Sequence, residues 1–245
     1  LFRSGLDGEI QAWRTRKLDK RYRYLVVDAR YERIRREGAV VPQGVLVVVG
    51  IDDNGYREVL GVWCADSESE TTWTTVFCEL KDRGLSGVGY VVSDNHTGLT
   101  KAIARNFQGA VWQRCQVHFI RNVLSRAKRQ DRSRIVAQLR EITGSSCRES
   151  AHHRLRESAE KLELLYPKIS DLLDTHGMET LSVYALPVPP GCWFRKRTCS
   201  TVHGVMPARK FVIRMHSNRG YDRTRAYFCV SVRDRPDALG VSVPE

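Results

Sequence analysis

The sequence predicts an α/β protein in which one mixed β-sheet is flanked by helices and followed by an all-helical insertion. Three observations predict this class. Short apolar runs rich in β-branched residues have the length of strands, helical periodicity alternates with them after the third run, and residues 131–186 show helical periodicity alone. A chain of 245 residues with 42% hydrophobic residues can bury a sizeable core.

The first three strands are predicted to form an antiparallel meander. The runs YRYLVVDA at 22–29, GVLVVVGID at 44–52 and YREVLGVWCA at 56–65 are apolar and rich in β-branched residues. The tripeptide DNG at 53–55 separates the second run from the third and is a strong hairpin-turn signal. So short a turn makes these two strands antiparallel, and we expect the first strand to pair with them.

Helices and strands alternate beyond the meander. Residues 67–86 have apolar positions at helical spacing, with Ser67 or Ser69 available as the N-cap. The elements predicted after this helix are a strand at 88–94, a helix at 96–107, a strand at 110–118 and a helix at 119–129. The resulting order, β-β-β-α-β-α-β-α, is typical of the ribonuclease H-like fold.

These patterns divide the chain into four parts. Residues 1–20 are predicted to be a linker, in which 9–20 is a short helix or part of the linker, and 21–130 to be the ribonuclease H-like core. Residues 131–186 form the helical insertion, and 187–245 are a basic tail that is expected to be disordered or misread.

The composition indicates a polyanionic partner and argues against a membrane protein. The net charge is +12, and residues 191–245 hold eleven Lys and Arg against four acids. Nucleic acid is the partner that such a charge favours, although a solvated basic face is the alternative reading.

There is no apolar run long enough to span a membrane. Seven scattered cysteines without a C-x-x-C pair favour a reducing compartment, and a start at Leu1 without a leader favours an internal piece of a longer protein.

Two aspartates are the candidate catalytic residues. Asp28 ends the first predicted strand and Asp94 ends the fourth, and in the predicted layout these strands are neighbours. Two carboxylates at adjacent strand ends repel each other unless they share a cation, so the pair predicts a site for Mg²⁺ or Mn²⁺. The alternative is that each aspartate only caps a turn or a helix. Asp52 and Asp53 also follow a strand, but the adjoining Asn-Gly favours a turn role.

Cys115 and His118 are a second pair with possible chemistry. Two such ligands without a second pair do not make a zinc site. Packing, orientation of nearby polar groups or a substrate contact is the role that we expect. His96 is expected in the first turn of the following helix.

Three blocks of sequence carry a family resemblance. DARYERIRREG begins at Asp28, VSDNHTGLTKAI contains Asp94, and WQRCQVHFIRNVL contains Cys115 and His118. In these blocks the chain resembles the Mutator-type transposases of bacterial insertion sequences, which belong to the Asp-Asp-Glu transposase superfamily. The resemblance extends from about residue 9 to residue 189.

This resemblance implies a ribonuclease H-like fold and metal-dependent cleavage and strand transfer at the ends of an insertion sequence. It implies Mg²⁺ or Mn²⁺ as the cofactor, double-stranded DNA (terminal inverted repeats and target DNA) as the partner, and a homo-oligomer as the active form. A cytoplasmic, nucleoid-associated location in a bacterium follows. By position, Asp28 and Asp94 match the first two acids of the triad, and Cys115 and His118 match the family's C-x-x-H signature. Residues 1–20 would then lead from an N-terminal DNA-binding region that the chain lacks.

The third acid of the triad has no match. Family members carry a Thr-Asn-x-x-Glu-Arg block where this chain has RKRTCSTVHGVMPARK, and Val205 stands about where the glutamate is expected. No glutamate occurs between Glu179 and Glu245. A shift of reading frame near residue 190 is our hypothesis. The alternative function is a catalytically dead transposase remnant that only binds DNA. A cellular nuclease of the same fold is a third option, which the C-x-x-H block disfavours.

Overall fold

The computed structural model describes residues 2–36 and 39–186 and two short strands, Ile213–Met215 and Phe228–Val230. The frame shift near residue 190 and the position of the missing third acid therefore lie outside the described residues. Within the described residues the chain is a mixed α/β protein with one five-stranded open sheet and helices on it.

The five-stranded sheet joins an antiparallel half to a parallel half. Its strands are β1 (Tyr22–Arg36), β2 (Ala39–Asp52), β3 (Arg57–Ala65), β4 (Tyr90–Ser93) and β5 (Val111–Arg114). They lie in the order β3-β2-β1-β4-β5, where β1, β2 and β3 are antiparallel and β4 and β5 run parallel to β1. The predicted meander and the predicted pairing of the first and fourth strands are confirmed. The short strands β6 (Ile213–Met215) and β7 (Phe228–Val230) pair with each other as an antiparallel ribbon.

Helices connect the strands and form the segment after the sheet. Those described are α1 (Phe2–Thr15), α2 (Glu70–Asp82), α3 (Thr97–Asn106), α4 (Gln116–Leu124), α5 (Arg132–Thr143), α6 (Arg148–Glu163) and α7 (Pro167–His176). Two 3₁₀ turns, Gly177–Thr180 and Ser182–Ala185, follow α7. No helix of these described ranges combines the length and the apolar character needed to cross a membrane.

Several predicted boundaries are wrong. Strand β1 continues to Arg36 and β2 begins at Ala39, because the two strands keep pairing beyond the predicted ranges 22–29 and 44–52. Asp28 therefore lies within β1 and does not end it.

The predicted strand at 110–118 ends at Arg114, because Cys115 leaves the sheet as the N-cap of α4. That helix begins at Gln116 instead of residue 119, and Phe119 and Val123, four residues apart, are buried on one of its faces. The helix expected at 9–20 lies earlier, at 2–15.

Helix α2 follows the predicted pattern closely. The Oγ of Ser69 accepts a hydrogen bond from the Thr72 backbone N–H at 3.1 Å, so Ser69 is the N-cap. Four apolar side chains at helical spacing are buried: Trp73, Val76, Phe77 and Leu80. They pack with β1, β2 and α3 in the core on one face of the sheet.

The opposite face of the sheet is covered by the helical segment. A second core lies among α4 to α7, and a small cluster that includes Tyr90, Val92 and Val183 joins the sheet to the end of that segment. Buried Gln113 holds this junction, because its Oε1 accepts hydrogen bonds from the Tyr90 hydroxyl and from the Val183 backbone N–H. Next to it, Gln116 Nε2 donates to the Thr180 carbonyl oxygen at 3.0 Å.

Replacing Gln113 with leucine should lower the free energy of unfolding by about 1–3 kcal/mol, because a buried backbone N–H loses its acceptor. Urea unfolding followed by circular dichroism measures the change. Gln138→Leu is the matched control, since the Oε1 of Gln138 is buried without a hydrogen-bond partner in the described part of the chain. Equal losses in the two variants would contradict a specific role for Gln113.

Candidate active site

Parallel strand pairing brings the two predicted aspartates to one level. Val26 of β1 lies opposite Val92 of β4, and the same register continued for two residues sets Asp28 opposite Asp94. Neighbouring strands are about 4.8 Å apart, and residues opposite each other direct their side chains to the same face of the sheet. Both carboxylates therefore lie at the end of the β1–β4 pairing, Asp94 just after β4 ends and Asp28 inside β1, which continues to Arg36.

Cys115 continues this line on the third parallel strand. Ser93 of β4 lies opposite Arg114 of β5, and this is the last pair of the two strands. The next residues, Asp94 and Cys115, therefore lie side by side just after the strands end. The Cys115 backbone N–H donates to the Ser93 carbonyl oxygen at 2.7 Å. The buried Cys115 side chain belongs to the cluster that joins the sheet to the helical segment, on the face that also carries Val26.

His118 lies in the first turn of α4 and approaches the first aspartate. Its Nε2 is 3.9 Å from Oδ1 of Asp28. The surroundings raise the pKa of His118 to about 9: interaction with the Cys115 side chain is the largest cause, burial acts against it, and the carboxylates of Asp28 and Asp94 add to the rise. The ring is therefore positively charged at neutral pH. Its Nδ1 is buried and has no hydrogen bond of ordinary geometry to any described residue.

Asp28 carries a charge that its surroundings only partly balance. Burial raises the pKa of this carboxyl group, and the nearby carboxylates of Asp94 and Glu68 raise it as well. His118 and a backbone hydrogen bond from Ala29 act in the opposite direction. A largely buried carboxylate with other carboxylates nearby is energetically unfavourable unless a cation binds between them.

Glu68 is the site residue that the sequence did not reveal. Its side chain is only 11% exposed, and its Oε1 accepts a hydrogen bond from Trp73 Nε1 at 3.1 Å. His96 Nδ1 lies 3.7 Å from the same oxygen. In the sequence, Glu68 is one of several acids near the start of a helix, and only the packing of α2 against the sheet brings it near Asp28.

Asp94 lies between the end of β4 at Ser93 and the start of α3 at Thr97. Its Oδ1 accepts a hydrogen bond from the Asn95 backbone N–H at 2.8 Å. His96, which was expected in the first turn, is instead the N-cap of α3. Helices α3 and α4 begin shortly after β4 and β5 end, so the positive ends of two helix dipoles lie beside the carboxylates.

The donor set fits a hard, oxygen-seeking cation, although it is incomplete. Asp28, Asp94 and Glu68 offer carboxylate oxygens, which Mg²⁺ and Mn²⁺ prefer. In the described part of the chain, however, no three His, Cys, Asp or Glu side chains are arranged closely enough to hold a metal ion together. Protein ligands alone therefore do not enclose an ion here. A Mg²⁺ ion at this site would need water and substrate oxygens to complete its coordination, as is common for Mg²⁺ in proteins.

A close helix contact holds the elements that carry Glu68 and Asp94. A β-carbon added at Gly98, in the first turn of α3, would lie 2.8 Å from the Glu70 backbone nitrogen and 2.9 Å from the Ser69 carbonyl carbon. Both atoms are backbone atoms at the start of α2, so neither can rotate away. Glycine at this position lets the two helix starts touch.

Gly98→Ala should therefore lower the free energy of unfolding by about 1–3 kcal/mol through overpacking. The control is Gly8→Ala in α1, where an added β-carbon meets nothing within 4 Å and alanine should be neutral or stabilising by up to about 1 kcal/mol. Urea unfolding midpoints of the two variants give the comparison. A Gly98→Ala protein as stable as the parent chain would show that α2 and α3 are not in close contact.

Comparisons with known proteins agree with the motifs. The chain is 38% identical over 182 residues to the transposase for insertion sequence element ISRM5 of Rhizobium meliloti, covering 74% of this chain and 46% of that protein. It is 32% identical over 224 residues to the transposase for element IS1081 of Mycobacterium tuberculosis, covering 86% and 54%. The chain thus spans about half the length of the curated relatives it matches.

A solved structure of the HTLV-2 integrase catalytic core domain in complex with magnesium matches at 10% identity with a TM-score of 0.23, over 70% of this chain and 92% of that one. That likeness is too low to support any conclusion. The model of the transposase family named Mutator matches residues 2–202. Because this match covers most of the chain, the protein belongs to the Mutator family of transposases.

Proposed function

We propose that this chain is the catalytic part of a DNA transposase, which cleaves phosphodiester bonds at the ends of an insertion sequence and joins them to target DNA. Its ribonuclease H-like core would be residues 21–130, with the helical insertion at 131–186. The observation that carries the proposal is the parallel register of β1 and β4, which, continued two residues beyond its last pair, sets Asp28 and Asp94 side by side on one face. Membership of the Mutator family supports the same reaction class.

Asp28 and Asp94 would hold the divalent cation, Mg²⁺ or Mn²⁺, with Glu68 as a further carboxylate whose charge raises the pKa of Asp28. When bound, such an ion supplies positive charge to the attacking and leaving oxygens of a phosphodiester. The chain's own contribution is to keep these carboxylates close together and partly buried. Burial strengthens electrostatic interactions at the site because it lowers the effective dielectric.

His118 has a positioning role in this proposal. Its protonated ring stands 3.9 Å from the Asp28 carboxylate and balances part of the negative charge. Since α4 begins at Gln116, directly after β5, the ring is fixed relative to the strand ends. Cys115 and His118 thus orient the carboxylate, and neither is proposed as a ligand.

The partner would be double-stranded DNA, both the terminal inverted repeats and the target, bound by a homo-oligomer. The net charge of +12 favours a polyanion. The dead-remnant alternative rests on the missing glutamate after residue 179. Glu68 weakens it, because the charge of this third carboxylate acts on Asp28 without any contribution from the tail.

Asp28→Asn and Asp94→Asn should each abolish cleavage, with a fall of at least about 100-fold, because each removes a charge that stabilises the reacting centre. The measurement is nicking of a duplex carrying the terminal repeats that flank the coding sequence, with Mg²⁺ or Mn²⁺ and with EDTA as the blank. Asp53→Asn, an exposed turn residue that pairs with Arg23, is the control and should leave cleavage unchanged. Full cleavage by either asparagine variant would refute the proposed site.

Glu68→Gln should slow the same cleavage by about 10-fold or more, because it removes one carboxylate while keeping an oxygen that can accept the Trp73 hydrogen bond. Glu70→Gln provides the matched control, since Glu70 is more exposed and lies 3.9 Å from Arg105. Thermal unfolding should be the same for both variants. If the two cleave equally well, Glu68 has no part in the reaction.

A further inference from the structure

The outer half of the β1–β2 hairpin projects beyond the rest of the sheet. Strand β1 pairs with β4 only from Tyr24 to Val26, and β2 pairs with β3 only from Gly44 to Ile51. The two strands continue to pair with each other as far as Arg36 and Ala39. Residues 30–35 and 39–43, here called the arm, thus form a two-stranded ribbon with no further strand on either side in the described residues.

The charged side chains of the arm all lie in its β1 strand, whereas its β2 strand, residues 39–43, carries none. They include three arginines and one acid: Arg30, Arg33, Arg35 and Glu32. Arg30 forms an ion pair with Glu32, whereas Arg33 and Arg35 are exposed and have no ion pair within the described ranges. Tyr31, at the base of the arm, is 51% exposed, and its hydroxyl accepts a hydrogen bond from the Glu68 backbone N–H at 3.1 Å.

The arm is continuous with the candidate active site. Asp28 lies two residues before it on the same strand, and the Tyr31 contact attaches its base to the segment that carries Glu68. At about 3.3 Å per residue, Arg33 lies roughly 17 Å and Arg35 roughly 23 Å from Asp28 along the strand. In B-DNA this corresponds to roughly five to seven base pairs.

We propose that the arm binds the phosphate backbone of duplex DNA beside the position of cleavage, through Arg33 and Arg35. This inference rests on the proposed function, because it identifies where that site's DNA would continue. A two-stranded ribbon fits the major groove of B-DNA, which has a phosphate backbone on each side. Alternating side chains place arginines on both faces of the ribbon: Arg30 on the face of Asp28, and the other two on the opposite face.

The test measures DNA binding without catalysis. The full chain is titrated with a fluorescein-labelled duplex of arbitrary sequence in EDTA, over a range of salt concentrations. For Arg33→Gln/Arg35→Gln, the slope of log K against log salt should fall by about 1.8, since each phosphate contact contributes about 0.9. Arg33→Lys/Arg35→Lys should keep the parent slope, because the charge is retained. Unchanged thermal unfolding confirms that the glutamine variant is folded.

The matched control removes two exposed arginines elsewhere. Arg140→Gln/Arg156→Gln changes the net charge equally on α5 and α6 and should leave the slope unchanged. An unchanged slope in the arm variant overturns the proposal, and so does an equal fall in the control, which would indicate a general charge effect. An unchanged slope together with an altered sedimentation coefficient would instead make the arm a contact between copies. Because no divalent metal is present, the result is independent of whether Asp28 and Asp94 support cleavage.

Discussion

The parallel pairing of β1 with β4 is the constraint on which the candidate site depends. It lasts for only three residue pairs, yet its register sets Asp28 of β1 opposite Asp94, which directly follows the end of β4. A slip of one residue would turn one carboxylate to the other face of the sheet, since side chains alternate along a strand. The short pairing is stable because both strands have apolar side chains on two faces, between the α2–α3 core and the helical segment.

Such a pair of acids is electrostatically unfavourable, and the surrounding structure serves to hold it. The contact of α3 with the start of α2 at Gly98 fixes the segment that bears Glu68. Gln113 fixes the helical segment to β5, directly before the turn that carries Cys115 and His118. These two contacts lie on opposite faces of the sheet. Together they keep the Asp94 and Glu68 carboxylates and the His118 ring within electrostatic reach of Asp28.

The sequence allowed us to predict features that depend on local sequence pattern, but not side-chain positions that depend on how the helices pack against the sheet. Apolar runs and the DNG turn predicted the meander, and the order of elements predicted that the strands ending at Asp28 and Asp94 are neighbours. Glu68 was missed because nothing in SESETTW distinguishes one acid from the next. Its hydrogen bond from the nearby Trp73 forms only in the folded structure, and its backbone contact with Tyr31 is between residues distant in sequence. The end of β5 was misplaced because Cys115 begins a helix within an apolar run that also suits a strand.

The mixed sheet gives β1 two roles that neither a parallel nor an antiparallel sheet would combine. On one edge its parallel neighbour stops at Ser93, which leaves Asp28, inside β1, without a paired strand on that side among the described residues and open to polar chemistry. On the other edge its antiparallel neighbour continues to Ala39, so the backbone hydrogen bonds that support the arm do not require the rest of the sheet. The β1 residues of the arm and Asp28 belong to one continuous strand. Any partner that the arm binds is therefore oriented by the same strand that positions the first carboxylate.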